Sequence, residues 1–221
     1  MVCELPQIKE MDINPLTVDE TGAYALDARI AIQYQPPGQR PYDHMAIHPY
    51  PSHLVQHWQL PDGSDVLIRP IRPEDAEMEQ EFVRKLSPES KYFRFMESLH
   101  ELPQELLVRF TQLDYSRDLA FIATTKKEGQ EIELGVARYI TNPDAESGEI
   151  GMVVADEWQN KGVGTKLMSC IIEAASERGF TMLEGDVLAN NPKMLHLMTK
   201  LGFTLRNKPD ETGIVIVTKT L

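Results

Sequence analysis

The stretch EIGMVVADEWQNKGVGTKLM, residues 149–168, decides the fold. Its first six residues predict a strand, and the loop QNKGVG (159–164) leads directly into an amphipathic helix. One face of that helix carries Val163, Leu167, Ile171 and Ala174. Glycines let the backbone approach a ligand closely, and a helix N-terminus offers free N–H groups and a positive dipole end. This order of elements predicts a pyrophosphate site, to which Lys161 or Lys166 could add charge. The alternative is a glycine turn that only lets the helix pack close to a sheet.

The segments on either side of this stretch alternate between strand and helix signals. A proline followed by two acids at 73–75 predicts a helix start, and Met78, Phe82 and Leu86 recur at four-residue spacing. The predicted strands are 66–68, 119–125, 134–140, 149–154, 182–188 and 214–219. The further predicted helices are 88–99, 104–113, 162–178 and 192–201. These elements predict one mixed α/β domain over residues 58–221, with a largely antiparallel first half.

The residues before this domain divide into two parts. Residues 1–34 contain two strand-like runs around a turn at 20–22, which predicts a small two-stranded piece. Residues 35–57, QPPGQRPYDHMAIHPYPSHLVQH, are rich in proline and predict a semi-extended linker.

Composition narrows the classes of partner. The chain has 221 residues and a formal net charge of -12, so nucleic acid is an unfavourable partner, whereas a cationic substrate is acceptable. No run of about 18 apolar residues occurs, so no membrane span is predicted, and residues 1–16 lack the apolar core of a signal peptide. Cys3 and Cys170 are far apart, which argues against a disulfide framework or a zinc site and favours a reducing cytoplasm. Cys170 is predicted to be a core residue.

The histidines invite a metal interpretation, which the surrounding sequence disfavours. His44 and His48 are four residues apart, as are His53 and His57. Prolines interrupt the region, so no helix is expected to present these pairs to one metal ion. We therefore predict solvated histidines and no metal site.

Three segments resemble the GNAT superfamily of N-acetyltransferases. QNKGVG (159–164) matches the acetyl-CoA-binding motif Q/R-x-x-G-x-G/A of that family. IRPIRPEDAE (68–77) resembles its first strand and helix, and LANNPKMLHLMTKLGF (188–203) its closing strand–helix–strand segment. The resemblance implies the GNAT fold, a mixed and mostly antiparallel central sheet flanked by helices. It also implies acetyl-CoA as cosubstrate.

The resemblance assigns the cofactor-binding residues. The turn and the start of its helix would hold the CoA pyrophosphate through Gln159, Asn160, Lys161, Gly162, Val163, Gly164 and Thr165. The strand residues Met152, Val153 and Val154 would pair with the pantetheine arm, and the N–H of Val153 or Val154 would polarise the thioester carbonyl. Asn190 or Asn191 could hydrogen-bond the same arm, although a helix N-cap before Pro192 would also explain them. Met194 is counted with this site, although Met194, Leu197 and Met198 lie at the helical spacing of core residues.

Glu149 is the candidate general base. A lysine amine has a pKa near 10.4, so a group must remove its proton at neutral pH. Glu149 begins the cofactor-binding strand, where the resemblance places a catalytic carboxylate in members that acetylate proteins. Glu146 and Glu184 are the reserve candidates, and a solvated strand-end charge is the alternative. Many members protonate the leaving thiolate with a tyrosine, but the matching position here is Met198, and Tyr139 cannot be assigned to this role.

The N-terminal segment EMDINPLTVDETGAYALDARIAI (10–32) resembles the end of the ATP-grasp region of NDP-forming acyl-CoA synthetases. Asn14 and Asp27 match residues that help bind magnesium there, but we expect no nucleotide chemistry from so short a segment. The whole arrangement resembles the Pat-type bacterial protein lysine acetyltransferases, which modify acyl-CoA synthetases. It implies acetyl transfer to a protein lysine, with acetyl-CoA synthetase as a possible target. The alternatives are a GNAT enzyme for a small amine, or a non-catalytic acyl-CoA sensor, which the missing tyrosine motivates.

Overall fold

The computed structural model describes residues 5–34, 42, 45, 47–209 and 211–221. The chain divides into two units, Met1–Pro49 and Tyr50–Leu221.

The described residues of the smaller unit form four strands rather than the two that were predicted. Strand β1 (Ile8–Ile13) pairs antiparallel with β4 (Ala28–Ile32), and β2 (Leu16–Asp19) pairs antiparallel with β3 (Gly22–Ala25). The turn at 20–22 lies between β2 and β3, where the Asp19 carboxylate accepts hydrogen bonds from Thr21 and Gly22. Each predicted strand is split because Asn14-Pro15 interrupts the first run and Asp27 the second.

The larger unit is built on an eight-stranded sheet with the order β11-β12-β10-β9-β8-β7-β6-β5. Every neighbouring pair is antiparallel except β9 and β10, which are parallel. The prediction of a mixed, mostly antiparallel sheet is therefore confirmed. The strands are β5 Gln56–Gln59, β6 Asp65–Pro70, β7 Leu119–Lys127, β8 Gln130–Thr141, β9 Ser147–Val154, β10 Met182–Leu188, β11 Thr204–Asn207 and β12 Ile214–Thr220.

Five α-helices formed by the described residues flank this sheet. They are α1 Ala76–Lys85, α2 Pro88–Phe95, α3 Gln104–Thr111, α4 Val163–Arg178 and α5 Pro192–Lys200. The prediction that the second helix extends to residue 99 is wrong, because Met96 adopts a left-handed conformation (φ 56°) and ends the helix. Within the described residues, no helix combines the length and the apolarity that a membrane span needs.

The sheet separates two apolar cores. The core beneath α4 contains Val163, Leu167, Ile171 and Ala174, which confirms the predicted apolar face of that helix. Cys170 belongs to the same core and is 2% exposed, as expected of a small core residue. The core on the other face packs α1 and α3 against β7 and β8.

Residues 50–57 belong to the larger unit, although their prolines placed them in the predicted linker (35–57). Residues 56–59 form β5, which pairs with β6 in the register Gln56↔Ile68 to Gln59↔Asp65. His53 lies in a 3₁₀ turn and His57 is exposed on β5, so the two belong to different elements. His44 and Cys3 lie outside the described residues.

A cluster of ionisable side chains is buried in the core between α1 and β8. The Arg138 guanidinium lies 3.6 Å from a Glu79 carboxylate oxygen and 3.8 Å from the centre of the Phe110 ring. Glu133 is 6% exposed. Burial raises the pKa of Glu133 well above its ordinary value, and the neighbouring Glu79 carboxylate raises it further. Glu133 is therefore a neutral acid in the folded protein over a range where the unfolded chain has lost that proton.

The raised pKa of Glu133 makes stability depend on pH. Since the folded state holds a proton that the unfolded state releases above about pH 4.5, the free energy of unfolding should fall as pH rises towards the folded pKa. Glu133→Gln keeps a neutral side chain at every pH, so its stability should fall less between about pH 5 and 8. Urea denaturation at several pH values measures this difference. Equal slopes for the two proteins would contradict the prediction.

Candidate functional site

A cleft lies where the pairing between the parallel strands β9 and β10 ends and the two strands diverge. The pairing of β9 with β10 runs from Ser147↔Met182 to Glu149↔Glu184 and goes no further. Beyond this point β9 continues to Val154, paired with β8 on its other side. Because amides alternate in direction along a strand, every second amide of residues 150–154 points into the gap between β9 and β10. This free edge can hydrogen-bond an extended ligand.

The glycine turn (159–164) connects this edge to α4. Asn160 (φ 62°) and Gly162 (φ 92°) both have left-handed backbones, which Gly162 adopts without steric cost. The first helical hydrogen bond runs from the Lys166 amide to the Gly162 carbonyl. The amides of residues 163–165 precede this ladder and remain available to an anion at the positive end of the helix dipole.

A cavity of about 420 Å³ extends from this turn along β9 to α5. Gly164 shows how closely the elements approach there, since an added Cβ would lie 2.6 Å from the Met152 Cε. Most of the residues that the sequence assigned to the cofactor line this cavity, namely Met152, Val153, Val154, Gln159, Asn160, Gly162, Gly164, Thr165, Asn190, Asn191 and Met194. Asn191 is also the N-cap of α5, with its side chain accepting from the Met194 amide at 3.1 Å, so both interpretations of that residue are compatible.

Lys161, Val163 and Lys166 are not among the residues that line this cavity. Lys161 Nζ lies 4.3 Å from the centre of the Trp158 ring, and Val163 is buried in the core at 1% exposure. Lys166 Nζ donates to the Gln56 side chain at 2.8 Å. The suggestion that Lys161 or Lys166 adds charge at the turn is therefore not supported, because each ammonium has another partner. For Lys161 and Val163, only the backbone belongs to the turn.

Sequence reasoning missed two groups of side chains that line the cavity. The helix α5 contributes Lys193, His196 and Lys200, and α2 contributes Glu89, Ser90, Phe93 and Arg94. The α5 residues share the spacing i, i+3, i+7 of one helix face, which was a readable signal. The α2 residues gave no such signal, because their position depends on how α2 docks near the end of β9.

Asp156 joins α2 to the loop before the glycine turn. Its carboxylate accepts from the Ser87 amide at 2.9 Å and from the hydroxyls of Ser87 and Ser90 at 2.7 Å each. Burial raises the pKa of Asp156, but these hydrogen bonds outweigh that effect and hold the pKa below its usual range. Gln159 extends the connection, since its amide donates to Ser90 and to the Val154 carbonyl and accepts from Lys193.

Asp156→Ala should raise the KM for acetyl-CoA severalfold, because α2 would lose three of the hydrogen bonds that attach it near the turn. The hydrogen bonds lost at this largely exposed carboxylate are together worth about 1 kcal/mol after screening by solvent. Asp156→Asn is the matched control, since one amide oxygen can still accept. Steady-state kinetics with varied acetyl-CoA measures the effect. An unchanged KM in Asp156→Ala would refute a positioning role for this contact.

A second cavity of about 220 Å³ lies at the point where β9 and β10 part. Glu149, Asp186, Arg94 and Met198 are among its lining residues. It shares Phe93, Arg94, Met152, Asn191 and Met194 with the larger cavity, so the two are adjacent. Glu149 is exposed.

The reserve candidates for the base lie elsewhere. Glu184 accepts a hydrogen bond from the Asn142 amide at 2.9 Å, and Glu146 is exposed in the turn between β8 and β9. Neither lines the two cavities, which favours Glu149 on position.

The structure offers no tyrosine as a proton donor among the lining residues of the two cavities. Met198 lines the smaller cavity, and its thioether has no proton to give. Tyr139 is buried against Phe180 with ring centres 5.1 Å apart, and burial raises its pKa to about 12. In the smaller unit, Asn14 and Asp27 are joined by a backbone hydrogen bond and are both exposed.

Comparisons with known proteins agree with this site. The family model of the acetyltransferase (GNAT) domain matches residues 65–204, and that of the ATP-grasp domain matches residues 1–32. The Pseudomonas aeruginosa protein named Acetyltransferase PA5475 is 35% identical over 162 residues, which are 72% of this chain and 87% of that protein. Acetyltransferase Pat of Mycolicibacterium smegmatis is 28% identical over 145 residues, which are 65% of this chain and 43% of Pat.

A solved GNAT structure is also similar to this chain in its fold. The GNAT domain of S. lividans PAT matches with a TM-score of 0.71 and 29% identity, covering 78% of this chain and 100% of that domain. The family model covers more than half of the chain, and the matched residues include β9, the glycine turn and α5. The chain therefore belongs to the GNAT family of acetyltransferases, with acetyl-CoA as its cosubstrate.

Proposed function

We propose that this acetyltransferase transfers the acetyl group to a lysine ε-amine of a protein, with an acyl-CoA synthetase as the first target to test. The observation that carries the proposal is the position of Glu149. Its exposed carboxylate lies at the point where β9 and β10 part, in a cavity adjacent to the cofactor cleft. A base at this position would lie close to the acetyl end of the bound donor and would also be accessible to an amine from solvent.

The residues present fit acetyl-CoA. The free amides of α4 and the glycine turn suit the pyrophosphate, and the free edge of β9 suits the amide-containing pantetheine arm. An amide of β9 directed at the thioester oxygen would stabilise negative charge that develops there. Bound acetyl-CoA supplies an activated carbonyl for attack by the acceptor amine.

Glu149 would take the proton that the amine loses on attack, directly or through one water. The N–C bond forms, the C–S bond breaks, and CoA leaves as a thiolate. Because Met198 carries no proton, the thiolate would leave without a protein acid, or take its proton from solvent. A thiol has a reference pKa near 8.5, so this departure is feasible near neutral pH.

The net charge of the chain favours a cationic acceptor. At the opening itself, Glu149 shares the cavity with Arg94, and Asp186 is ion-paired with Lys208 at 2.9 Å. The formal net charge of -12 for the whole chain would attract a protonated lysine before deprotonation. The similarity to Pat, together with the ATP-grasp segment at residues 1–32, supports a protein target in the acyl-CoA synthetase class.

The direct test mixes the purified chain with acetyl-CoA and a recombinant acetyl-CoA synthetase. Thiol release is followed in solution, and acetylated lysines are identified by mass spectrometry. Site-specific acetylation above the no-enzyme control supports the proposal. Turnover with polyamines or amino acids but not with the protein would instead make the chain a small-amine acetyltransferase. Binding of acetyl-CoA without any turnover would favour the sensor alternative.

A further inference from the structure

Strand β5 lies against the helix that begins at the glycine turn, although the family match starts only at residue 65. It lies at one edge of the sheet and, among the described strands, pairs only with β6. Side chains alternate along it, so that Gln56 and Trp58 are half-buried while His57 and Gln59 are exposed. The two half-buried side chains both contact the beginning of α4.

The Trp58 ring lies beside the glycine turn and packs against the apolar core that contains Val163, the first residue of α4. A Cβ added at Gly162 would lie 3.6 Å from Cη2 and 3.8 Å from Cζ2 of the Trp58 ring. Gly162 is the N-cap of α4, and no side-chain hydrogen bond caps the helix at this residue. The ring therefore leaves room for about one methyl group on that side of Gly162, which limits the displacement of a turn whose own side chain cannot restrain it.

Gln56 holds the same helix one turn further on. Its Oε1 accepts a hydrogen bond from Lys166 Nζ at 2.8 Å and lies 3.8 Å from Cys170 Sγ. The Lys166 amide makes the first hydrogen bond of α4, to the Gly162 carbonyl. Gln56 and Trp58 thus fix two successive turns of one helix end, on the side away from the cavity.

We propose that Trp58 and Gln56 are positioning residues for the cofactor site and hold the glycine turn in the conformation that binds acetyl-CoA. A turn with left-handed residues at 160 and 162 has a large choice of other conformations once its support is removed. Ordering the turn during binding would then lower the affinity for acetyl-CoA. A turn that is already held in place by Trp58 and Gln56 does not have this cost. Neither residue lines the two cavities, so neither would contact the cofactor directly. Both would act on binding through the conformation of the turn.

The test is the dissociation constant of acetyl-CoA, measured by isothermal titration calorimetry without an acceptor. Trp58→Ala should raise this constant by about tenfold, and Trp58→Phe, which retains an aromatic ring, by no more than about threefold. His57→Ala on the outward face of the same strand is the matched control and should bind as the wild type does. Because no acceptor is present, the result does not depend on the proposed lysine substrate.

Kinetics and fluorescence separate positioning from general damage. Partial unfolding would lower kcat by reducing the active fraction, whereas loss of positioning should raise the KM for acetyl-CoA and leave kcat unchanged. The chain has two tryptophans, so Trp158→Phe leaves Trp58 as the single reporter, and its emission should change when acetyl-CoA binds.

Two outcomes would overturn the proposal. One is a wild-type dissociation constant in Trp58→Ala, and the other is an equal loss of affinity in His57→Ala. If Trp58→Ala does not fold, Gln56→Ala carries the test and should raise the dissociation constant about threefold or more. Wild-type affinity in Gln56→Ala, with an unresponsive Trp58 in the Trp158→Phe protein, would then refute the proposal.

Discussion

Glu149→Gln is expected to lower kcat by about 10²- to 10⁴-fold at neutral pH, the usual contribution of a positioned general base. The amide has nearly the same shape as the carboxylate but cannot accept the proton of the attacking amine. The KM for acetyl-CoA should stay unchanged, because Glu149 lines the smaller cavity and not the cofactor cleft. Steady-state kinetics with varied acetyl-CoA and a saturating acceptor measures both constants.

The pH dependence of this variant tests the role more sharply than the rate alone. As pH approaches the reference pKa of a lysine amine, near 10.4, solvent supplies the neutral nucleophile, so the deficit should shrink steadily. Glu184→Gln and Glu146→Gln are matched controls, since both carboxylates lie outside the cavities. A Glu149→Gln enzyme that keeps half of its kcat at pH 7 would exclude Glu149 as the base. So would a deficit of the same size at every pH.

Arg138→Met should destabilise the larger unit by about 3–5 kcal/mol, the usual result of removing one partner from a buried ion pair. The substitution leaves the Glu79 carboxylate in the core without its cation, 1% exposed and beside the Glu133 acid. It also removes the guanidinium from the Phe110 ring. Urea denaturation followed by tryptophan fluorescence reports on this unit, because Trp58 and Trp158 both belong to it.

A double variant distinguishes lost charge from lost packing. Glu79→Gln in the Arg138→Met background removes the isolated charge, so it should recover more than half of the lost stability. Packing damage would leave the double variant as unstable as the single one. A loss below about 1 kcal/mol in Arg138→Met would show that the pair contributes no more than an exposed one does.

The sequence predicted most accurately the strands and helices that have a long apolar period and clear end signals of their own. The bounds of β10 (Met182–Leu188) agree with the predicted strand, and α4 differs by one residue at its start. Both have long, regular apolar periodicity and clear end signals, such as the C-cap Gly179. In the larger unit, the two strands that were missed, β5 and β11, have only four residues each. Segments this short carry too little periodicity to be recognised.

The sequence by itself determined that a strand, a glycine turn and a helix follow one another in 149–168. This order predicts a pyrophosphate site, and the resemblance of QNKGVG to the GNAT motif implies that the ligand is acetyl-CoA. The tertiary structure alone decided which side chains surround that site. It directed Lys166 to Gln56, placed α2 and Asp156 beside the turn, and buried Glu79 with Arg138. Each of these contacts joins residues that are far apart in the chain. Backbone hydrogen bonds and helix dipoles follow from local order, whereas side-chain partners depend on how the elements dock.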